Sequence, residues 1–153
     1  MKGSQAEAKT YALKLLGYRA RSRRELEERL RRKGFSSGQA DEAIEQLQDA
    51  GLVNDEDLAP QLLRYSIEYK SFGKNGIRTF LAKRGLGREL IDKTLSNHTL
   101  EIEEKTAGEF VERKMRTLEN YSEDIVRQKL WGMLLRRGFS GEVIKKVIDS
   151  VEL

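Results

Sequence analysis

Three glycines, Gly34, Gly85 and Gly138, stand in closely similar surroundings, and this internal repeat constrains the fold more than any other feature of the chain. Leu30, Leu81 and Leu134 lie four positions before their glycine, and Leu26, Ile77 and Leu130 lie eight before it. Phe35, Leu86 and Phe139 follow directly, while Ile44, Leu95 and Ile148 come ten positions later. A period of about fifty residues marks a tandem array of one supersecondary unit. Within the unit, apolar residues four apart stack on one face of a helix. The glycine ends that helix, because it enters the left-handed C-cap conformation without a Cβ clash. Basic pairs fill the preceding turn, Arg32 with Lys33, Lys83 with Arg84 and Arg136 with Arg137, where they meet the negative end of the helix dipole. A second amphipathic helix then starts within two or three residues, with Ser36 and Gln39 reading as a capping box and Ser140 as an N-cap.

A further helix precedes each such pair. In the first unit it spans about 5–16, with Tyr11, Leu15 and Tyr18 at helical spacing, and Ser22 with Glu25 forms the capping box of the next helix. In the second it spans about 57–69, with Leu58, Leu62, Tyr65 and Tyr69 on one side and Pro60 in the first turn. A start directly after Asn54 would place Pro60 deeper and kink the helix. The third leading helix, about 100–118, carries Ile102, Ala107, Phe110 and Leu118. The expected fold is all-α: three tandem three-helix repeats in an elongated or bent array, with units at 1–53, 54–98 and 99–153. One proline, no cysteine, 38% hydrophobic and 35% charged residues suit small linked bundles better than one large globule. Without cysteine there is no disulfide, thiol chemistry or thiolate zinc site. No apolar run reaches membrane length, and residues 1–9 carry no signal-peptide core, so a cytoplasmic location is expected.

The net charge of +4 hides an uneven distribution. Residues 19–33 hold eight basic and three acidic groups, and 36–57 hold seven acidic and none basic. Residues 58–93 again hold eight basic against three acidic, and 94–124 hold four against eight. Positive and negative bands therefore alternate in phase with the repeat. Each run serves as a solvated helix face; together they offer a partner basic patches at regular intervals, suited to nucleic acid or to a repeating acidic surface.

Catalytic constellations are absent from the sequence. His98 is the single histidine and reads as a linker residue at a helix junction, without partners for metal binding or nucleophilic catalysis. The stretch 73–76 lacks P-loop spacing and reads as a helix entry. Asp55, Glu56 and Asp57 fit a helix start, where carboxylates offset the dipole. Trp131, between Leu130 and Leu134, reads as core or interface. A non-enzymatic protein without cofactor or metal is expected.

The three-repeat layout and several strings resemble the bacterial RecX regulators of RecA recombinase. The strings are 12–16 (ALKLL), 21–26 (RSRREL), 30–34 (LRRKG), 51–55 (GLVND) with Leu58-Ala59, 73–77 (GKNGI) and 81–85 (LAKRG). The second-repeat entry departs from the family's Gly-Pro-Arg-Arg-Ile, having Lys74, Asn75 and Gly76 instead. The resemblance implies a modulator in DNA repair and recombination that binds the RecA nucleoprotein filament along its groove and bridges subunits, and a monomer is expected because no heptad seam is sustained. It further implies hindered ATP hydrolysis and strand exchange, and filament disassembly. An extended charged array meeting a repeating polymer would gain affinity through linked contacts.

Candidate contact residues are Arg21, Arg23, Arg24, Arg31 and Arg32 in the first unit, Lys83, Arg84 and Arg88 in the second, and Arg136 and Arg137 in the third. Each also has a plain role in helix capping and solubility. The alternative is a direct DNA-binding protein, because helix, glycine turn and helix also describe a helix-turn-helix. The helix after Gly34 carries Asp41, Glu42 and Glu45 and no cation, which disfavours groove docking by the first unit. The helices with Arg88 and Lys93, or Lys145 and Lys146, remain open to it. Stacking of single strands on Tyr65, Tyr69 and Phe72 is a further option, and a pure scaffold would leave the charge banding unused.

Overall fold

The computed structural model describes residues 4–152, which hold nine helices and no strand. They are α1 (Gln5–Tyr18), α2 (Arg23–Lys33), α3 (Ser37–Asp49), α4 (Asp55–Glu68), α5 (Lys74–Lys83), α6 (Arg88–Leu95), α7 (Leu100–Met115), α8 (Glu123–Arg136) and α9 (Gly141–Asp149). They pack in consecutive threes. In the first and third threes the leading helix lies chiefly on the last one, whereas α4 packs on both α5 and α6.

Each three closes its own apolar core. Leu26, Leu30 and Ile44 meet Ala8, Ala12 and Leu15 in the first. Ile77, Leu81 and Leu95 meet Leu58, Ala59 and Leu62 in the second. Leu130, Leu134 and Ile148 meet Ala107, Phe110 and Val111 in the third. The residues four and eight before each glycine are all fully buried, as a single helix stripe facing one core requires.

Local signals set the helix ends. Ser22 and Ser36 form complete capping boxes with Glu25 and Gln39, and the Ser140 hydroxyl accepts the Val143 N–H at 3.3 Å. Gly34, Gly85 and Gly138 have φ of +108°, +87° and +87°. The next residue's N–H in each case reaches back to the carbonyl of Leu30, Leu81 or Leu134, the long bond of a Schellman turn.

Several positions differ from expectation. The helix α4 starts at Asp55, with Asn54 as N-cap accepting the Asp57 N–H at 3.1 Å, and it continues through Pro60. Asn54 outcompetes the later start because its side chain satisfies an orphan N–H. Tyr18 and Tyr69 are 74% and 75% exposed: small Ala8 and Ala12 bring α1 close to its neighbours, and the tyrosines at the helix ends overhang the core. Ile102 is exposed as well, since α7 turns Glu103, Thr106 and Ala107 inward. Trp131 is 41% exposed and lies outside the core cluster, because the inward stripe of α8 is Val126, Leu130 and Leu134. His98 does sit at the junction, but it is buried, with Nε2 lacking a partner. No helix among the described residues is long and apolar enough to cross a membrane.

Candidate functional site

The glycine turn of one unit docks on the start of the middle helix of the unit before it, and this joint occurs twice. At the second joint the Gly73 N–H donates to the Arg137 carbonyl at 2.8 Å and the Asn75 N–H donates to the Gly138 carbonyl at 3.1 Å. The open carbonyls at the end of α8 thus satisfy orphan N–H groups at the start of α5, with opposed dipole ends meeting. At the first joint the turn after α5 rests on the start of α2, where a Cβ on Gly85 would lie 2.5 Å from Ser22 Oγ.

Equivalent arginines secure the two joints. Arg84 pairs with Glu25 at 3.1 Å and donates to the Ala20 carbonyl at 3.0 Å. Arg137 donates to the Lys70 carbonyl and lies 4.5 Å from the centroid of the Phe110 ring. Burial, and then the nearby Arg113, holds the Arg137 guanidinium below its usual pKa. The corresponding Lys33 of the first unit lies 5.3 Å from the centre of the Tyr11 ring. Arg84 and Arg137, singled out as contact candidates, therefore act first as ties between units.

The other candidates divide into three groups. Arg23 is held inside the fold: its side chain bonds Glu27 at 2.9 Å and Gln48, and its backbone N–H donates across the joint to Asp55. Arg24 makes a long exposed pair with Glu28 at 3.6 Å. Arg31, Arg32, Lys83, Arg88 and Arg136 are exposed and form no ion pair with another described residue. Of these, Lys83 and Arg136 come together on one hollow with Phe72, Phe80 and Gly138, although they are far apart in sequence. No repeat period announces that meeting.

Arg21 stands apart. Its Nε is buried without a hydrogen-bond partner. Burial first, then the neighbouring Arg19 and Arg29, keeps its pKa below the usual value, against the attraction of Glu25. Arg19 pairs with that same Glu25 at 3.2 Å, so several guanidinium groups converge on one carboxylate. Sequence reasoning missed Arg19, Arg29 and Lys70. Only the charge run over 19–33 hinted at the first two, and nothing local indicated that Lys70 joins Arg19 and Arg84 around a second hollow.

Comparison with known proteins gives this architecture a family. The description "RecX, first three-helix domain" matches residues 8–47, and "RecX, third three-helix domain" matches 101–148. The chain is 33% identical to the regulatory protein RecX of Mycolicibacterium smegmatis, over 97% of this chain and 81% of that one. It is 30% identical to the regulatory protein RecX of Streptomyces coelicolor, over 95% and 78%. The crystal structure of RecX from Lactobacillus salivarius superimposes with a TM-score of 0.80 at 25% identity, covering 95% of this chain and 94% of that one. A second crystal structure of regulatory protein RecX gives 0.82, also at 25% identity, over 95% and 73%. The similarity runs along nearly the whole length, and the chain belongs to the RecX family of regulatory proteins.

Proposed function

We propose that the protein modulates RecA recombinase, mainly as a negative regulator, by lying along the RecA–DNA filament and hindering ATP hydrolysis and strand exchange. The observation that carries this reading is the way the units are tied: each joint uses the same turn-on-helix contact, so the cations they present are held at fixed intervals. Such spacing suits a polymer whose subunits recur, because linked weak contacts raise avidity without any one being strong. The units 1–53, 54–98 and 99–153 are, on this reading, successive contact modules.

Arg31, Arg32, Lys83, Arg88 and Arg136 are the proposed contact residues, since they are exposed and form no ion pair with another described residue. Arg24 stands with them, because an exposed pair contributes little and exchanges readily. Arg84, Arg137 and Arg23 support the contact by keeping the modules in register. ATP hydrolysis by RecA on single-stranded DNA, measured while the protein is titrated in, tests the proposal. Its own binding to the same DNA is followed in parallel. Inhibition well below the concentrations that coat bare DNA supports action at the filament. A fall in turnover only where free DNA is saturated would transfer the function to competition for DNA.

A further inference from the structure

The hollow that Lys83 and Arg136 share has a volume of about 360 Å³ and lies at the second joint, where α5 meets the end of α8. Its volume falls at the small end of the range for small-molecule sites, which commonly combine apolar walls with a few convergent polar groups. Phe72 and Phe80 form the apolar side, set edge-on with ring centres 6.1 Å apart and packed at the rim of the second unit's core. The polar side is Lys83, Arg136 and the exposed Asn75. The Thr79 hydroxyl in the lining is already committed, donating to the Asn75 carbonyl at 3.1 Å.

Helix capping does not explain the charge around this hollow. Lys83 and Arg136 are the last residues of α5 and α8, in equivalent places two positions before Gly85 and Gly138. A cation at a helix end offsets the dipole, which accounts for each one alone. It does not account for their meeting. In each turn the neighbouring arginine is used by a joint, Arg84 on Glu25 and Arg137 on the Lys70 carbonyl. Lys83 and Arg136 form no ion pair with another described residue. Two units thus bring one unpaired cation each to the same hollow, and no carboxylate lines it. Arg136 is also laid along its own helix, since a Cβ on Gly132 would stand 3.2 Å from its Nη1. A cleft walled by one sign of charge concentrates ions of the other.

We propose that the hollow at the second joint binds a small aromatic phosphate monoester, with its phosphate between Lys83 and Arg136 and its ring on Phe72 and Phe80. A phosphate monoester carries a charge of about −1.5 to −2 near neutral pH, which matches two cations, and a guanidinium can grip two of its oxygens at once. The ligand's ring would extend the edge-on pair that Phe72 and Phe80 already form. A bare inorganic anion would leave those rings uncovered, and a neutral apolar molecule would leave the cations unpaired. A ligand seated there touches two units, so it also holds the joint closed. The inference is separate from filament modulation, and its test is made without RecA.

Phenyl phosphate titrated into the full chain, followed by nitrogen–proton correlation NMR, reads the binding directly. The amides of Gly76, Thr79 and Gly138 should shift together and saturate. The melting temperature should rise with ligand concentration, as for any ligand bound only by the folded state. Lys83→Gln and Arg136→Gln should each weaken binding roughly tenfold, the scale of one charge-assisted contact. Both side chains are exposed, and melting without ligand checks that the variants fold. Lys105→Gln, which removes an exposed cation outside the hollow, should bind like the parent. Inorganic phosphate and phenol each offer half of the ligand and should bind roughly tenfold more weakly or worse. The proposal fails if Lys83→Gln and Arg136→Gln bind like the parent, or if inorganic phosphate binds as tightly as phenyl phosphate. It fails equally if an oligothymidylate displaces phenyl phosphate from the hollow, which would assign these cations to a polymer surface.

Discussion

The two joints have one geometry and two chemistries. At the first, side chains make the connection: Arg84 spans to Glu25 and to the Ala20 carbonyl, and Asp55 accepts the Arg23 N–H at 2.9 Å. Backbone makes most of the second, where Gly73, Gly76 and Gly138 let two chain segments approach. A Cβ on Gly73 would lie 2.6 Å from the Phe139 Cα, one on Gly138 would lie 2.5 Å from the Gly76 Cα, and one on Gly76 would run into the Arg137 carbonyl. A connection made by charges yields to salt, whereas one made by close backbone approach yields only to steric change. In this chain glycine at position 76 lets the third unit's turn seat, since any Cβ there would run into the Arg137 carbonyl.

Polar groups under the second joint reinforce it. The Glu103 carboxylate is buried and accepts the Lys74 N–H at 2.7 Å, capping α5 from another unit because Gly73 has no side chain to do so. Arg113 donates to Ser71 Oγ at 2.7 Å. At the first joint Asp55 plays the matching part on the Arg23 N–H, alongside the Ser22–Glu25 capping box of α2.

Substitutions graded by size separate these chemistries. Gly138→Ala should have the largest effect, about 4 kcal/mol, because a left-handed residue gains a Cβ against backbone that cannot move aside; thermal and urea melting measure it. Gly85→Ala should cost about 1–2 kcal/mol, since its φ is equally unfavourable but the nearest atom is the Ser22 hydroxyl, a side chain that can rotate. Equal losses for the two would overturn the distinction between a backbone joint and a side-chain joint.

Glu25→Gln should cost about as much as Gly85→Ala, about 1–2 kcal/mol, because it leaves a mostly buried Arg84 without its counter-charge. Its cost should shrink in high salt, whereas that of Gly138→Ala should not, and melting at two ionic strengths decides the point. A smaller effect comes from His98. Burial lowers its pKa from 6.5, Glu103 opposes the shift and Lys74 adds to it. The unfolded chain therefore binds the proton more readily, so stability should fall as pH drops below about 6.5 and hold above it. Stability of a His98→Asn variant should be flatter over the same window; an unchanged slope would show that other groups govern the acid side.

Charge reversal at Arg31 and Arg32 should lower stability by about 1 kcal/mol at most, because neither side chain forms an ion pair with another described residue and only favourable charge at the end of α2 is lost. Binding to RecA nucleoprotein filaments should nevertheless weaken. Intact binding at physiological salt would remove the first unit's patch from the proposed contact.

Periodicity and caps carry the fold in this sequence. Leucine or isoleucine four and eight positions before each glycine, together with the serines at 22, 36 and 140, determine which segments are helical, where they stop and which face turns inward, for these are interactions within a few residues of chain. Tyr18 and Tyr69 were misleading because helical spacing reports a shared face and not whether a neighbour is near enough to cover it. The tertiary structure alone decided which cations are available. Lys83 and Arg84 are neighbouring cations before the same glycine turn, yet Arg84 is tied to Glu25 across fifty-nine residues of chain and Lys83 is exposed. The gathering of Arg19, Lys70 and Tyr65 around one hollow at the first joint likewise depends on how one unit seats on the next. Contacts between residues so far apart follow from packing of completed units, and no local pattern encodes them.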